Sequence, residues 1–226
     1  MKKLKNNTKT MLALIAKDQA TRLRKRLDQG LAVDQQIKVP GRYKPMTLLE
    51  YASEKELRKR HAKERRHYRE IIEELVRAGA KLNHITVDES PLYRAAKGGD
   101  LEVVKLLLNT GADPNAAINV VPWKNLYRET ALHAAARNGA IEIAKALIVA
   151  GADTKRNNSE EMRPLEAVIR QERSTEMEGT AWLQRTGVKV DKERVEVERA
   201  AWHNRRTQMI KLLSEYSNAE DATHAG

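Results

Sequence analysis

Hydrophobic and polar positions repeat one pattern twice in the middle of the chain. The first copy runs from Glu89 to Asp113, the second from Glu129 to Asp153, and they align without a gap. In both, a leucine stands 19 residues before a glycine: Leu92 before Gly111, and Leu132 before Gly151. Each copy predicts two short helices. Ser90-Pro91 and Thr130-Ala131 open the first one, and proline suits a first helical turn because its missing N–H had no partner there anyway. Ala95-Ala96 and Ala134-Ala135-Ala136 keep that helix thin, so a neighbouring helix can approach closely. Gly99 and Gly139 stop it. Leu101, Val103, Val104, Leu107 and Leu108, with their counterparts Ile141, Ile143, Ala144, Leu147 and Ile148, then space as the apolar face of a second helix. One such pair cannot bury its own face, whereas a stack of pairs builds a continuous core.

The residues Thr130-Ala131-Leu132-His133-Ala134-Ala135 and Gly151-Ala152-Asp153 resemble the signature of ankyrin repeats. So do Ser90-Pro91-Leu92-Tyr93-Arg94-Ala95-Ala96 and Gly111-Ala112-Asp113-Pro114-Asn115. The resemblance implies an all-α, ankyrin-repeat helical solenoid and a binding scaffold in place of an active site. It implies that partners lie against the inter-repeat turns and the inner, first-helix face. It also implies that His133 hydrogen-bonds backbone near the turn and does not serve as a ligand.

Three weaker units flank the central pair, giving about five in all. Units are expected at about 8–34, 45–83, 88–116, 128–157 and 160–217, within one domain over 1–217 and ahead of a flexible tail at 218–226. The first unit places Lys25 and Arg26 where the central units are apolar, as expected of a polar end cap. In the second unit Leu49 and Gly79 stand 30 residues apart instead of 19, and the insert holds no Gly or Pro. The reading is that both helices of this unit are elongated into a charged hairpin. In the last unit Met162-Arg163-Pro164-Leu165 restarts the pattern, with Leu165 33 residues after Leu132. A long charged helix, about Asp191 to Ser217, closes it.

Charge then sharpens the picture. Of a net +11, residues 1–69 carry +13 and residues 70–226 carry −2. The densest run spans Arg58 to Arg66. It reads either as a solvated face laced with interleaved glutamates or as a patch for an anionic partner through Arg58, Lys59, Arg65 and Arg66. The chain has no Cys and no Phe, which excludes disulfides and thiolate chemistry. No apolar run reaches the length of a membrane span. No phosphate loop, nucleophile elbow or metal-ligand spacing is present, so no catalytic residue, metal or cofactor is assigned. A cytoplasmic protein, or one acting in a host cytoplasm, is expected.

The inter-repeat turns are the candidate contact sites. The step from Gly111 to Gly151 is 40 residues, seven longer than the family's 33-residue period, and the extra residues fall in a finger between Ala117 and Arg128. Trp123, Lys124 and Tyr127 on that finger read as interface anchors, or, for Trp123, as a plug folded back over the first helices. The turn from Ile37 to Lys44 offers Arg42, Tyr43 and Lys44. Arg94, Lys97 and Arg137, joined by Tyr51, are expected to line the inner face as a basic, aromatic-dotted groove. The function read from these residues is a non-catalytic module binding an acidic or mixed-charge protein, with a bacterial or viral inhibitor, immunity or adaptor protein as a specific form. The alternative is a nucleic-acid binder that uses the basic N-terminal third.

Overall fold

A computed structural model describes residues 12–13, 15, 20–41, 45–57, 62–83, 89–118, 128–170 and 192–224. Helices alternate between two layers. The inner layer stacks the first helices: α2 (Leu48–Leu57), α4 (Pro91–Gly98) and α6 (Ala131–Arg137). The outer layer stacks the second helices: α1 (Ala20–Asp28), α3 (Ala62–Arg77), α5 (Leu101–Asn109), α7 (Ile141–Val149) and α9 (Lys192–His224). A short helix over 164–170, α8, lies between α7 and α9 in sequence. Contacts run α2 to α4 to α6 along the inner layer and α1 to α3 to α5 to α7 to α9 along the outer one. That is a solenoid, in which each unit touches its neighbours only. None of the helices in the described residues is long and apolar enough to cross a membrane.

The core lies between the layers. Leu49, Leu92, Ala96 and Leu132 reach it from the inner helices. Leu23, Ile72, Leu75, Val104, Leu107, Ala144 and Leu147 reach it from the outer ones, joined at the far end by Met209 and Leu213 of α9. Each buried Leu or Ile side chain contributes about 1.5–3 kcal/mol relative to exposure. Small residues at Ala95, Ala96, Ala135 and Ala136 let the inner helices pack tightly. Gly99 closes α4 with φ 77°, a left-handed conformation that a side chain disfavours.

A polar ladder fixes the repeats to one another. The backbone N–H of Lys81 donates to Asp34 Oδ1 at 2.8 Å. One repeat on, Asp113 N–H donates to Asn83 Oδ1 at 2.9 Å, and the next, Asp153 N–H donates to Asn115 Oδ1 at 2.8 Å. Asn83 and Asn115 also donate back, through their amide groups, to the carbonyls of Gly111 and Gly151. Asp34 holds the equivalent place in the first repeat but has no N–H to return.

The unequal lengths of the outer helices shape the molecule. Helices α5 and α7 have 9 residues each, α3 has 16 and α9 has 33. Residues 58–61, between α2 and α3 in sequence, lie outside the described residues. Helix α9 continues to His224. The residues after Ser217 contain no Gly or Pro before Gly226, and Ala219, Glu220 and Ala222 favour helix, so nothing in the sequence stops it there.

Candidate protein-binding face

The fingers are built on matching stems. Ile37 and Met46 exchange both backbone hydrogen bonds, at 2.8 and 3.1 Å. Two turns further on, Ile118 N–H donates to the Glu129 carbonyl at 2.8 Å and Arg128 N–H donates back to Ile118 at 3.0 Å. The last turn is a short version, with Asn158 N–H donating to the Met162 carbonyl at 3.0 Å. Ile118 packs against Tyr93 and Ala134, which fastens the longest finger to two inner helices. The tips themselves, with Arg42, Tyr43 and Lys44 on one finger and Trp123, Lys124 and Tyr127 on the other, lie outside the described residues.

One helical position explains how each inner helix is tied down. The third residue of the helix is Glu50, Tyr93, His133 and Glu166 in successive repeats. Glu50 accepts the Thr47 N–H at 2.7 Å while Thr47 Oγ1 accepts the Glu50 N–H, a reciprocal cap. Glu166 likewise accepts the Arg163 N–H at 2.6 Å, and hydrogen bonds from Arg163 hold its carboxyl below the ordinary range. His133 plays the part in the fourth repeat. Its Nδ1 accepts the Thr130 N–H at 3.3 Å, and its Nε2 lies 3.0 Å from the Met162 carbonyl. An imidazole that accepts at Nδ1 and donates from Nε2 is neutral, and burial pulls the His133 pKa below its ordinary value. His133 therefore bonds backbone, as the resemblance implied.

Tyr93 breaks the series. Its side chain reaches forward to the next finger's stem, where the hydroxyl donates to Glu129 Oε2 at 3.0 Å. Glu129 is fully buried and also pairs with Arg137 and accepts from Asn158 at 3.4 Å. Burial, reinforced by the nearby Glu89 charge, pushes the Tyr93 hydroxyl up to about 12.

The expected basic groove is corrected by these pairings. Lys97, Arg137 and Arg170 occupy equivalent places at the ends of α4, α6 and α8, and each meets a carboxylate. Lys97 Nζ lies 2.8 Å from Glu89, Arg137 pairs with Glu129, and Arg170 lies 2.6 Å from Glu160. Lys97 also stands over the Tyr93 ring, 5.7 Å from its centre. Among the described residues, repeats three to five thus present a row of ion pairs on this face. Tyr51 and Arg94 share a different position that turns inward. They are 8 % and 4 % exposed, and the Arg94 guanidinium stays near Glu89 at 3.6 Å. Neither lines the groove. Alignment of the central repeats already held this signal, since Glu89 and Glu129 each stand eight residues before Lys97 and Arg137.

Of the proposed anionic-partner patch, Arg65 and Arg66 sit in α3. Their side chains, with all of Arg58 and Lys59, lie outside what is described. Next on that helix, Arg69 makes two hydrogen bonds, 2.9 and 2.8 Å, to Asp100 in the turn of the following repeat. Asp100 is also the N-cap of α5, accepting the Val103 N–H at 3.1 Å. Nothing in the sequence pattern signals this inter-repeat contact. Among the described residues, no group of His, Asp and Glu is arranged to hold a metal ion.

Comparison with known proteins agrees with this geometry. The family model for ankyrin repeats (3 copies) matches residues 60–170. A 45-residue stretch is 51 % identical to the ankyrin repeat and KH domain-containing protein mask-1 of Caenorhabditis elegans. The match covers 20 % of this chain and 2 % of that much longer protein.

Proposed function

This chain carries ankyrin repeats over residues 60–170, a scaffold for protein–protein interaction, and from that premise we propose that it works by binding an acidic or mixed-charge protein through its two long fingers. The observation that supports this is the equivalence of the stems. In both, the N–H of Ile37 or Ile118 donates to the carbonyl just before the next inner helix's cap, of Met46 or Glu129, two repeats apart, and a return bond comes from Met46 in the first and from Arg128 in the second. With helices packed about 8–10 Å apart, the stems stand roughly 20 Å from each other, a span suited to one protein partner. Loops on such a rigid frame bind with little ordering cost.

In this reading Trp123 and Tyr127 are the anchors, and Arg42, Tyr43, Lys44 and Lys124 set the preference for acidic surface. Lys97 and Arg137, already paired, form the floor and contribute complementarity more than charge. The scaffold binds and occludes or tethers its partner. The nucleic-acid reading draws no support from the described outer face, where Arg24 and Arg77 share Glu74 and Arg69 is held by Asp100.

The test is affinity capture on the tagged chain from its native host lysate, with and without nuclease, using the wild type and two finger variants, Trp123→Ala/Tyr127→Ala and Arg42→Glu/Lys44→Glu. A stoichiometric protein that survives nuclease and is lost from both variants supports the reading. Retention by both variants, or loss of all capture on nuclease treatment, overturns it.

A further inference from the structure

The edge where inner helices end and outer helices begin carries one dipeptide that chemistry singles out, independently of the finger reading. Asn138–Gly139 is the single Asn-Gly in the sequence, and it lies in the turn between α6 and α7. Each residue is there for a structural reason. Gly139 sits at φ 62°, the left-handed conformation that follows a helix cap and that a side chain disfavours. A Cβ there would also lie 3.4 Å from the Arg205 Cβ of α9. Asn138 is exposed, and its amide donates to the Lys97 carbonyl at 2.9 Å. That bond joins the turn of repeat four to the turn of repeat three. The equivalent residue in repeat three is Gly98, which has no side chain to make such a link.

The same two residues are chemically labile together. Glycine has no side chain to shield its own nitrogen, so that nitrogen can attack the amide carbon of the asparagine before it. A C–N bond forms between Gly139 N and Asn138 Cγ. The amide nitrogen leaves as ammonia, taking the Gly139 proton, and a five-membered cyclic imide remains. Water then opens the ring. Cleavage at the Cγ carbonyl gives aspartate, and cleavage at the main-chain carbonyl gives isoaspartate, whose backbone runs through the side-chain carbons. Water is the only co-reactant.

The native turn holds the reacting atoms apart. Asn138 has φ −83° and ψ −2°, and a ψ near zero points the Gly139 nitrogen away from Cγ. Gly139 N–H donates to the Ala136 carbonyl at 3.1 Å, and Ala140 N–H donates to the Ala135 carbonyl at 2.9 Å. Ring closure requires rotation about ψ of Asn138 and the loss of both bonds. They belong to the end of a seven-residue helix. On the other side of the turn, α7 begins at Ala140 with no side-chain cap. The repeat-three turn is fastened better, because Asp100 caps α5 and is held by Arg69. Opening of the repeat-four turn therefore costs far less than global unfolding.

We propose that Asn138 is a site of spontaneous deamidation, reached by local opening of the α6 cap, and that its conversion severs the bond between the turns of repeats three and four. Either product replaces an amide with a carboxylate, which has no N–H to offer the Lys97 carbonyl. The new charge lies at the C-terminal end of α6, where the helix dipole opposes it. Isoaspartate also lengthens the main chain inside the cap, so Gly139 and Ala140 no longer meet the Ala136 and Ala135 carbonyls in register.

The test holds the full-length chain folded in mildly alkaline buffer at physiological temperature, beside a sample kept unfolded in urea. Aliquots are digested with pepsin at low pH, which stops further conversion, and read by mass spectrometry with chromatographic separation of the two products. Asn138 is expected to convert in the folded chain about tenfold to a hundredfold more slowly than in urea. Global unfolding alone would slow it about a thousandfold or more. Asn138→Gln, whose cyclisation needs a larger ring, should stay intact over the same period. The isoaspartate form, isolated by ion exchange, should melt below the wild type and exchange its Gly139 and Ala140 amide protons faster. Asn138→Asp, with the charge but a normal backbone, should melt between the two. Protection of Asn138 to the full extent of global unfolding overturns the proposal. So does an isoaspartate form that melts with the wild type and keeps its protection at Gly139 and Ala140.

Discussion

Repeats three and four are near copies in sequence, yet they are held together by different chemistry. In repeat four, His133 ties its own N-cap residue, Thr130, to the backbone of the next turn at Met162. In repeat three the equivalent Tyr93 leaves the cap to Ser90, whose Oγ accepts the Tyr93 N–H at 3.1 Å, and sends its hydroxyl to the buried Glu129 carboxylate. Both side chains reach the residue that precedes the next N-cap, one through a neutral imidazole and a backbone carbonyl, the other through a phenol and a charged side chain. The second helices differ too. Asp100 caps α5 and receives Arg69, whereas Ala140 opens α7 with no side-chain cap and α9 lies alongside. The lesson is that a repeat conserves the connection it must make and not the residues that make it.

The largest effect that breaks this comparison should come from Glu129. Removing it as Glu129→Ala leaves Arg137 without its carboxylate in a largely buried site and is expected to cost about 3–5 kcal/mol by urea unfolding. The equivalent Glu89→Ala removes a carboxylate shared by Lys97, 47 % exposed, and the buried Arg94 3.6 Å away, and should cost less than Glu129→Ala, about 1–3 kcal/mol. If the two variants were equally destabilised, the buried and exposed pairs would be energetically alike and the contrast would fail.

His133→Ala ranks next. It deletes a fully buried ring and both of its hydrogen bonds, and about 2–4 kcal/mol is expected. Its pH dependence has a definite sign. Burial lowers the native His133 pKa below the ordinary 6.5, so the unfolded chain binds the proton more readily. Stability is therefore full above about pH 6.5 and falls as the pH drops below it. Wild type should lose melting temperature between about pH 7 and about pH 5, and His133→Ala should flatten that loss. A steeper loss in the variant would show that another group titrates instead.

Tyr93→Phe keeps the ring and removes only the hydroxyl donated to Glu129. A loss of about 1.5–3 kcal/mol is expected, the range for hydrogen bonds to charged groups. No loss would mean that Arg137 and Asn158 satisfy the carboxylate unaided. Smallest are the caps. Asp100→Ala should cost about 1 kcal/mol or somewhat more, since Arg69 also loses its partner, while Ala140→Asp should gain about 0.5–1 kcal/mol by supplying the cap that repeat four lacks. Melting curves of the pair, measured side by side, show whether the missing cap is a deficit or whether the neighbouring α9 already offsets it.

Much of the fold was legible because repeats write their period into the chain. The leucine-to-glycine spacing located every helix of the central pair. The resemblance also placed His133 correctly. The candidate face was less legible. Arg94, Lys97 and Arg137 were read as one basic group because each is basic and lies on a first helix. Arg94 and Lys97, three residues apart, share a side of α4, yet Arg94 is buried while Lys97 stays exposed at the rim. The acids that neutralise the rim come from the preceding turns, and a reading of one helix at a time overlooks them.

Apolar periodicity and glycine stops by themselves determined an all-α solenoid of stacked helix pairs. These are local properties, fixed by backbone sterics and by which residues must leave water. Only the tertiary structure decided that Glu129 faces Tyr93 and that Arg69 pairs with Asp100, the cap of its neighbour's second helix. In these pairings Tyr93 and Glu129 stand 36 positions apart, and Arg69 and Asp100 stand 31 apart. Their energies depend on the dielectric and geometry that packing creates, which no local pattern of residues encodes.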